Sequence, residues 1–93
     1  MQKTGRPALI VQNNAGNTHS PETIVVAIRH DTRKGLPIHV QVPAGTGGLK
    51  KESVIDCGKI YTLLQVDLGD SLGHLPENYM NQVDRALKIS LSL

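Results

Sequence analysis

One arginine stands directly before a proline at the mouth of a short apolar run, Gly5-Arg6-Pro7-Ala8-Leu9-Ile10-Val11-Gln12-Asn13. A guanidinium is a planar fork that binds two phosphate oxygens at once and does not lose its charge. Proline cannot donate a ladder hydrogen bond, so Pro7 marks the first residue of a strand. Its ring also forces Arg6 into extended backbone, which aims the side chain. The chemistry open to such a residue is charge stabilisation at a phosphate. A second arginine, Arg29, closes another apolar run, Thr23-Ile24-Val25-Val26-Ala27-Ile28. Histidine is the side chain suited to proton transfer near neutral pH, and among His30, His39 and His74 the alternation of its strand turns His39 outward, the best position for contacting a ligand.

Other chemistries find no support in the residue pattern. His19, His30, His39 and His74 are scattered, no Cys/His pair has the close spacing of a zinc site, and no metal or other cofactor is expected. The single cysteine, Cys57, excludes an intramolecular disulfide. No elbow motif surrounds a Ser or Cys nucleophile. Pro43-Ala44-Gly45-Thr46-Gly47-Gly48-Leu49-Lys50-Lys51 is rich in glycine and lysine, but its order is not that of a phosphate-binding P-loop and no helix follows it, so it reads as a flexible hairpin connection.

The elements that must position these groups are short. Ala8–Gln12 and Thr23–Ile28 are β-branched runs bounded by turn formers, as expected of central strands. Residues 13–21 form a loop by composition. Ile38-His39-Val40-Gln41-Val42 alternates, with His39 and Gln41 on its wet face. Ser53–Asp56 and Ile60–Leu64 read as two further strands with a bulge or bend at Cys57-Gly58. Leu75-Pro76-Glu77-Asn78 opens a helix in which Tyr79, Met80, Val83, Ala86 and Leu87 recur at helical spacing and pack onto the sheet.

The fold class is therefore mainly β: a small, bent antiparallel sheet with a C-terminal helix. Its 93 residues suit a single domain spanning 1–93. Twenty-six of them are Val, Ile or Leu, enough for an aliphatic core. No Trp or Phe is present and there are only two tyrosines, so a nucleic acid would be recognised through Arg, His and backbone groups rather than aromatic stacking. A net charge of +2 is too small to hold a long polyanion and fits a short ligand. No signal peptide or membrane-length apolar run is visible, which places the expected protein in the cytoplasm, away from membranes.

The Gly5–Asn13 stretch, read with Thr23–Ile28, Leu36-Pro37-Ile38-His39-Val40 and Val83-Asp84-Arg85-Ala86-Leu87-Lys88-Ile89-Ser90-Leu91, resembles the MazF/PemK/Kid family of toxin endoribonucleases. The resemblance implies an SH3-like barrel of the PemK/CcdB kind, a homodimer, single-stranded RNA as substrate and a small cognate antitoxin as partner. It implies metal-independent cleavage that leaves a 2′,3′-cyclic phosphate and a 5′-hydroxyl. Arg6 matches the family's phosphate-binding arginine. The family's Ala-Ile-Thr at the end of the second strand is here Ala27-Ile28-Arg29, which implies either that Thr32 or His30 of the following loop fills the space of the catalytic threonine or that Arg29 supplies a second guanidinium and forms an anion clamp with Arg6. Where some members carry Arg-Thr-Ile-Asp, this chain has Tyr61-Thr62-Leu63-Leu64, and that acid–base pair cannot operate. The expected site is thus Arg6 and Arg29 for catalysis, with Gln12, Asn13, His39, Tyr61 and Thr62 contacting RNA. The family places a further strand before the Arg-Pro motif where only Met1 to Gly5 stand here, so the chain looks truncated at its start. Two alternatives accompany this reading: a degenerate member that only binds an antitoxin or nucleic acid, and a CcdB-like gyrase inhibitor, against which the Arg6-Pro7 motif argues.

Overall fold

The computed structural model describes residues 6–30 and 35–93. Four strands form one antiparallel sheet: β1 (Ala8–Ile10), β2 (Glu22–Arg29), β3 (His39–Val42) and β4 (Ser53–Leu64), in the spatial order β1-β2-β4-β3. The sheet curls into a half-barrel. Two helices accompany it, α1 (Asn14–His19) and α2 (Glu77–Leu91), with short 3-10 turns at Thr46–Gly48 and Gln65–Asp67.

The main core cluster lies on one face, while Val25 and Val54 are buried on the other. Val26, Val40, Val42, Leu49, Ile55 and Cys57 from the sheet side meet Val83 and Ala86 of α2, all buried. Period-2 alternation delivers these strand residues to one face, and helical spacing delivers Val83 and Ala86 to the facing stripe of α2. Tyr79 and Leu87 pack against the same cluster. The helix begins after Pro76, whose missing N–H is harmless in a first turn, and carries Glu77 where the helix dipole favours an anion.

Three expectations change. β1 is an edge strand, paired only with β2, and Ile10 is exposed rather than central. The expected loop at 13–21 contains α1: Asn13 caps it by accepting the Gly16 N–H at 2.8 Å, and Thr18 bonds back to the Asn14 carbonyl at 2.8 Å. The two strands expected at Ser53–Asp56 and Ile60–Leu64 are one continuous strand, because the irregularity is absorbed as a bulge. Val26 pairs with Ile60 but Ala27 with Asp56, so Cys57, Gly58 and Lys59 lie between successive partners on β4. The glycine suits that bend, since a Cβ on Gly58 would come within 2.6 Å of the Ile38 Cδ1.

A second close approach depends on glycine. Gly48 has φ +82°, and a Cβ there would run into the Leu72 carbonyl oxygen. The segment from Leu72 to Leu75 therefore lies tight over the Thr46–Gly48 turn. Between that segment and β1 runs a cleft of about 590 Å³, lined by Leu9, Ile10, Ile28, Leu72, Leu75 and Met80 among others.

Candidate active site

β4 is flanked by β2 and β3, so side chains from three strands converge on its face away from the core. His39 of β3 stands directly opposite Asp56, and Ala27 of β2 faces Asp56 from the other side. Arg29, two residues beyond Ala27, is the diagonal neighbour on the same face. The neighbouring positions Ile28, Ile55 and Val40 turn to the core, as the alternation requires.

The result is a carboxylate held between two basic side chains. Asp56 Oδ2 lies 3.5 Å from Arg29 Nε, and Asp56 Oδ1 lies 3.5 Å from His39 Nε2. Oδ1 also accepts the Gly58 backbone N–H at 3.0 Å, which fixes the carboxylate orientation from within its own strand. Asp56 is only 6 % exposed. An aspartate so deeply buried is rare unless paired. Both 3.5 Å separations are ion-pair distances, longer than a well-formed hydrogen bond. His39 Nε2 is directed at the carboxylate, while Nδ1 is buried and without a hydrogen-bond partner among the described residues.

Cys57, next in the strand, points into the core. Burial first and the neighbouring Asp56 charge second push its thiol up from 9.0 to about 11. It is an inert packing residue.

The expected residues divide into those the fold gathers and those it does not. Arg29 and His39 are neighbours through Asp56. His39 is not turned outward: its side chain is 13 % exposed, because the sheet curls and Asp56 draws the ring inward. Arg6 is exposed at the mouth of β1. The β1–β2 pairing ends at Ala8↔Ala27, two residues from Arg6 on one strand and two from Arg29 on the other. Gln12 and Asn13 are occupied locally: Gln12 Nε2 donates to Asn17 Oδ1 at 3.1 Å and the Glu22 carbonyl at 3.2 Å, while Asn13 caps α1. Tyr61 is exposed and opposite Val25, four β2 residues from Arg29, or about 13 Å along the strand. Thr62, opposite Ile24, is exposed on the other face. His30 turns its Nδ1 toward the Ser53 hydroxyl at 3.5 Å, on the face away from Arg29. Thr32 lies outside the described residues.

Asp56 is the residue that sequence reasoning missed. A signal was available: an acidic side chain within the buried run Ser53-Val54-Ile55-Asp56-Cys57 requires a partner. No group of three or more His, Cys, Asp or Glu that could hold a metal ion occurs among the described residues. None of their helices is long and apolar enough to cross a membrane. The apolar cleft beside β1 does not include Arg29, His39 or Asp56, so the charged site and the cleft are separate features.

Comparison with known proteins bears on this arrangement. Residues 1–91 match the family model described as PemK-like, MazF-like toxin of type II toxin-antitoxin system. The chain is 43 % identical over 89 residues to endoribonuclease EndoA of Bacillus subtilis (strain 168), a span of 95 % of this chain and 77 % of the relative. It is also 43 % identical over 89 residues to endoribonuclease MazF of Staphylococcus epidermidis, covering 95 % and 74 %. Among solved structures, an endoribonuclease in complex with its cognate antitoxin from Mycobacterial species superimposes with a TM-score of 0.85 at 32 % identity, covering 95 % of this chain and 82 % of that one. The Mycobacterium tuberculosis toxin MazF-mt6 gives 0.85 at 28 %, covering 95 % and 87 %.

Proposed function

Because the chain belongs to the PemK-like, MazF-like toxins of type II toxin–antitoxin systems, we propose that it is a metal-independent endoribonuclease acting on single-stranded RNA. What supports this reading is that Arg6 is exposed just before β1, and that Arg6 and Arg29 each lie two residues beyond the paired Ala8 and Ala27. In the reaction the ribose 2′-oxygen attacks the adjacent phosphorus. The O2′–P bond forms and the P–O5′ bond breaks; the 2′-hydroxyl loses its proton and the departing 5′-oxygen gains one. Negative charge accumulates on the non-bridging oxygens, and Arg6 is placed to bind them.

The ion pair revises the electrostatics of the clamp. Arg29 brings a positive charge to the position of the family's threonine, but Asp56 balances it. The site therefore offers one net positive charge from Arg6, Arg29 and Asp56 together, rather than the two that would grip the phosphate of ground and transition states alike. This favours the enzyme over the degenerate binder. Exposed Tyr61, on the face of Arg29, is then a residue for a neighbouring nucleotide rather than for the scissile one, whereas Thr62 lies on the opposite face. The protein works as a homodimer in the cytoplasm and is neutralised by a cognate antitoxin, a reading supported by the antitoxin complex of its structural neighbour.

Arg6→Ala tests this. It should reduce cleavage of a short RNA about 10²–10³-fold, the usual loss for one charge-stabilising donor, while the melting temperature stays within about 2 °C, as for a surface change. Wild-type cleavage rates in the variant remove Arg6 from the mechanism.

A further inference from the structure

We propose that Asp56 is a positioning residue of the phosphate site, holding Arg29 through Nε so that its guanidinium is presented to the phosphodiester beside Arg6. The inference rests on the nuclease reading above and adds to it a residue outside the family's Arg-Thr arrangement.

Three features support it. First, a strand position this buried accepts an apolar side chain without penalty, and an ion pair there seldom adds net stability over a hydrophobic residue of similar size. What a carboxylate supplies in addition is direction. Second, the carboxylate is itself fixed: the Gly58 N–H holds Oδ1 at 3.0 Å, and the bulge that brings Gly58 into reach lies immediately after Asp56. Third, both basic partners come from the strands on either side, Arg29 diagonally from β2 and His39 directly from β3. The central strand thus sets the position of side chains on both neighbours. A guanidinium fixed before the reaction stabilises the developing phosphorane charge without reorganising at that moment.

The 3.5 Å contact is an ion pair without a hydrogen bond at Nε, so Asp56 restrains the Arg29 side chain by charge. Losing that restraint lets the guanidinium shift, and a displacement of only 1 Å at a reacting group costs roughly 10²-fold in rate.

The test is a double-mutant cycle on the full chain with Asp56→Asn, Arg29→Met and their combination. Asparagine retains an oxygen to accept the Gly58 N–H and removes the charge. Single-turnover cleavage of a mixed-sequence RNA oligonucleotide is measured for each, beside its melting curve. Asp56→Asn should slow cleavage about 100-fold and have less than a twofold effect in the Arg29→Met background. Equal slowing in both backgrounds, or none in either, overturns the proposal and leaves Asp56 a strut of the bulge. Should Asp56→Asn fail to fold, Asp56→Glu keeps the charge but lengthens the side chain; it should still slow cleavage at least tenfold, and wild-type rates in it overturn the proposal.

A second readout does not depend on cleavage. The Arg29 Nε–H resonance, assigned by its loss in Arg29→Met, should be resolved in the wild type and shift on adding the oligonucleotide with a 2′-deoxy residue at the cleavage site. In Asp56→Asn it should move away from its wild-type position. A shift with no cleavage by the wild type refutes the nuclease reading and upholds the positioning role; cleavage with an Arg29 signal indifferent to Asp56→Asn does the reverse.

Discussion

Replacing Arg29 with methionine separates a buried ion pair from a decorative one. Methionine fills much the same length without the charge, so the variant leaves Asp56 facing the sheet with one partner removed. Breaking a buried pair from one side costs about 3–5 kcal/mol. Here Arg29 is 19 % exposed, and Asp56 keeps the Gly58 N–H and His39, which places the loss at roughly 2–3 kcal/mol. For a domain of this size that lowers the melting temperature by roughly 10–20 °C. Adding Asp56→Asn removes the stranded charge and should return about 1–2 kcal/mol. Urea denaturation reads both changes directly, provided the slope m is unchanged. A loss below about 0.5 kcal/mol for Arg29→Met would assign the pair the value of an exposed salt bridge and refute the claim that Asp56 is energetically committed to Arg29.

Two further outcomes follow from the same structure. If the protein is a homodimer, its melting temperature rises with protomer concentration, because association stabilises the folded state by mass action; a monomer by light scattering at micromolar concentration contradicts this. Cys57, held near 11 in the fold against 9.0 outside it, keeps its proton in the folded state over a range where the unfolded chain loses it. Its contribution to stability is therefore complete below pH 9 and declines as pH rises toward 11, by at most about 3 kcal/mol; a Cys57→Ala variant with an identical alkaline decline would assign that decline to other groups.

Much of the scaffold is legible in the sequence because its signals are local. The β-branched run Thr23–Ile28 declares a strand by composition and the stripe Tyr79, Val83, Ala86 and Leu87 a helix by its period, and the structure uses both as written. What is not legible depends on distant partners. α1 is polar and contains Gly16; beyond its Asn13 cap it is held by Gln65, whose Nε2 donates to the Asn17 and Ser20 carbonyls at 2.8 and 2.7 Å from 48 and 45 residues away. The bulge that unites Ser53–Leu64 depends on how β2 pairs with it. The site shows the same division. Arg6-Pro7 announces itself by the chemistry of adjacent residues, whereas the meaning of Arg29 rests on Asp56, which joins it only through cross-strand register. His39 likewise alternates outward in sequence but is drawn in by that carboxylate.

The central claim is that this chain cleaves RNA by 2′-oxygen attack without a metal. Its most direct test is mass spectrometry of the fragments that the purified protein makes from a short single-stranded RNA in excess EDTA, beside the same oligonucleotide with 2′-deoxy sugars. The account predicts fragments ending in 2′,3′-cyclic phosphate and beginning with 5′-hydroxyl, none from the deoxy strand, and none from the RNA treated with Arg6→Ala over the same time. Fragments with 3′-hydroxyl and 5′-phosphate ends, or intact RNA at protein excess, would contradict it.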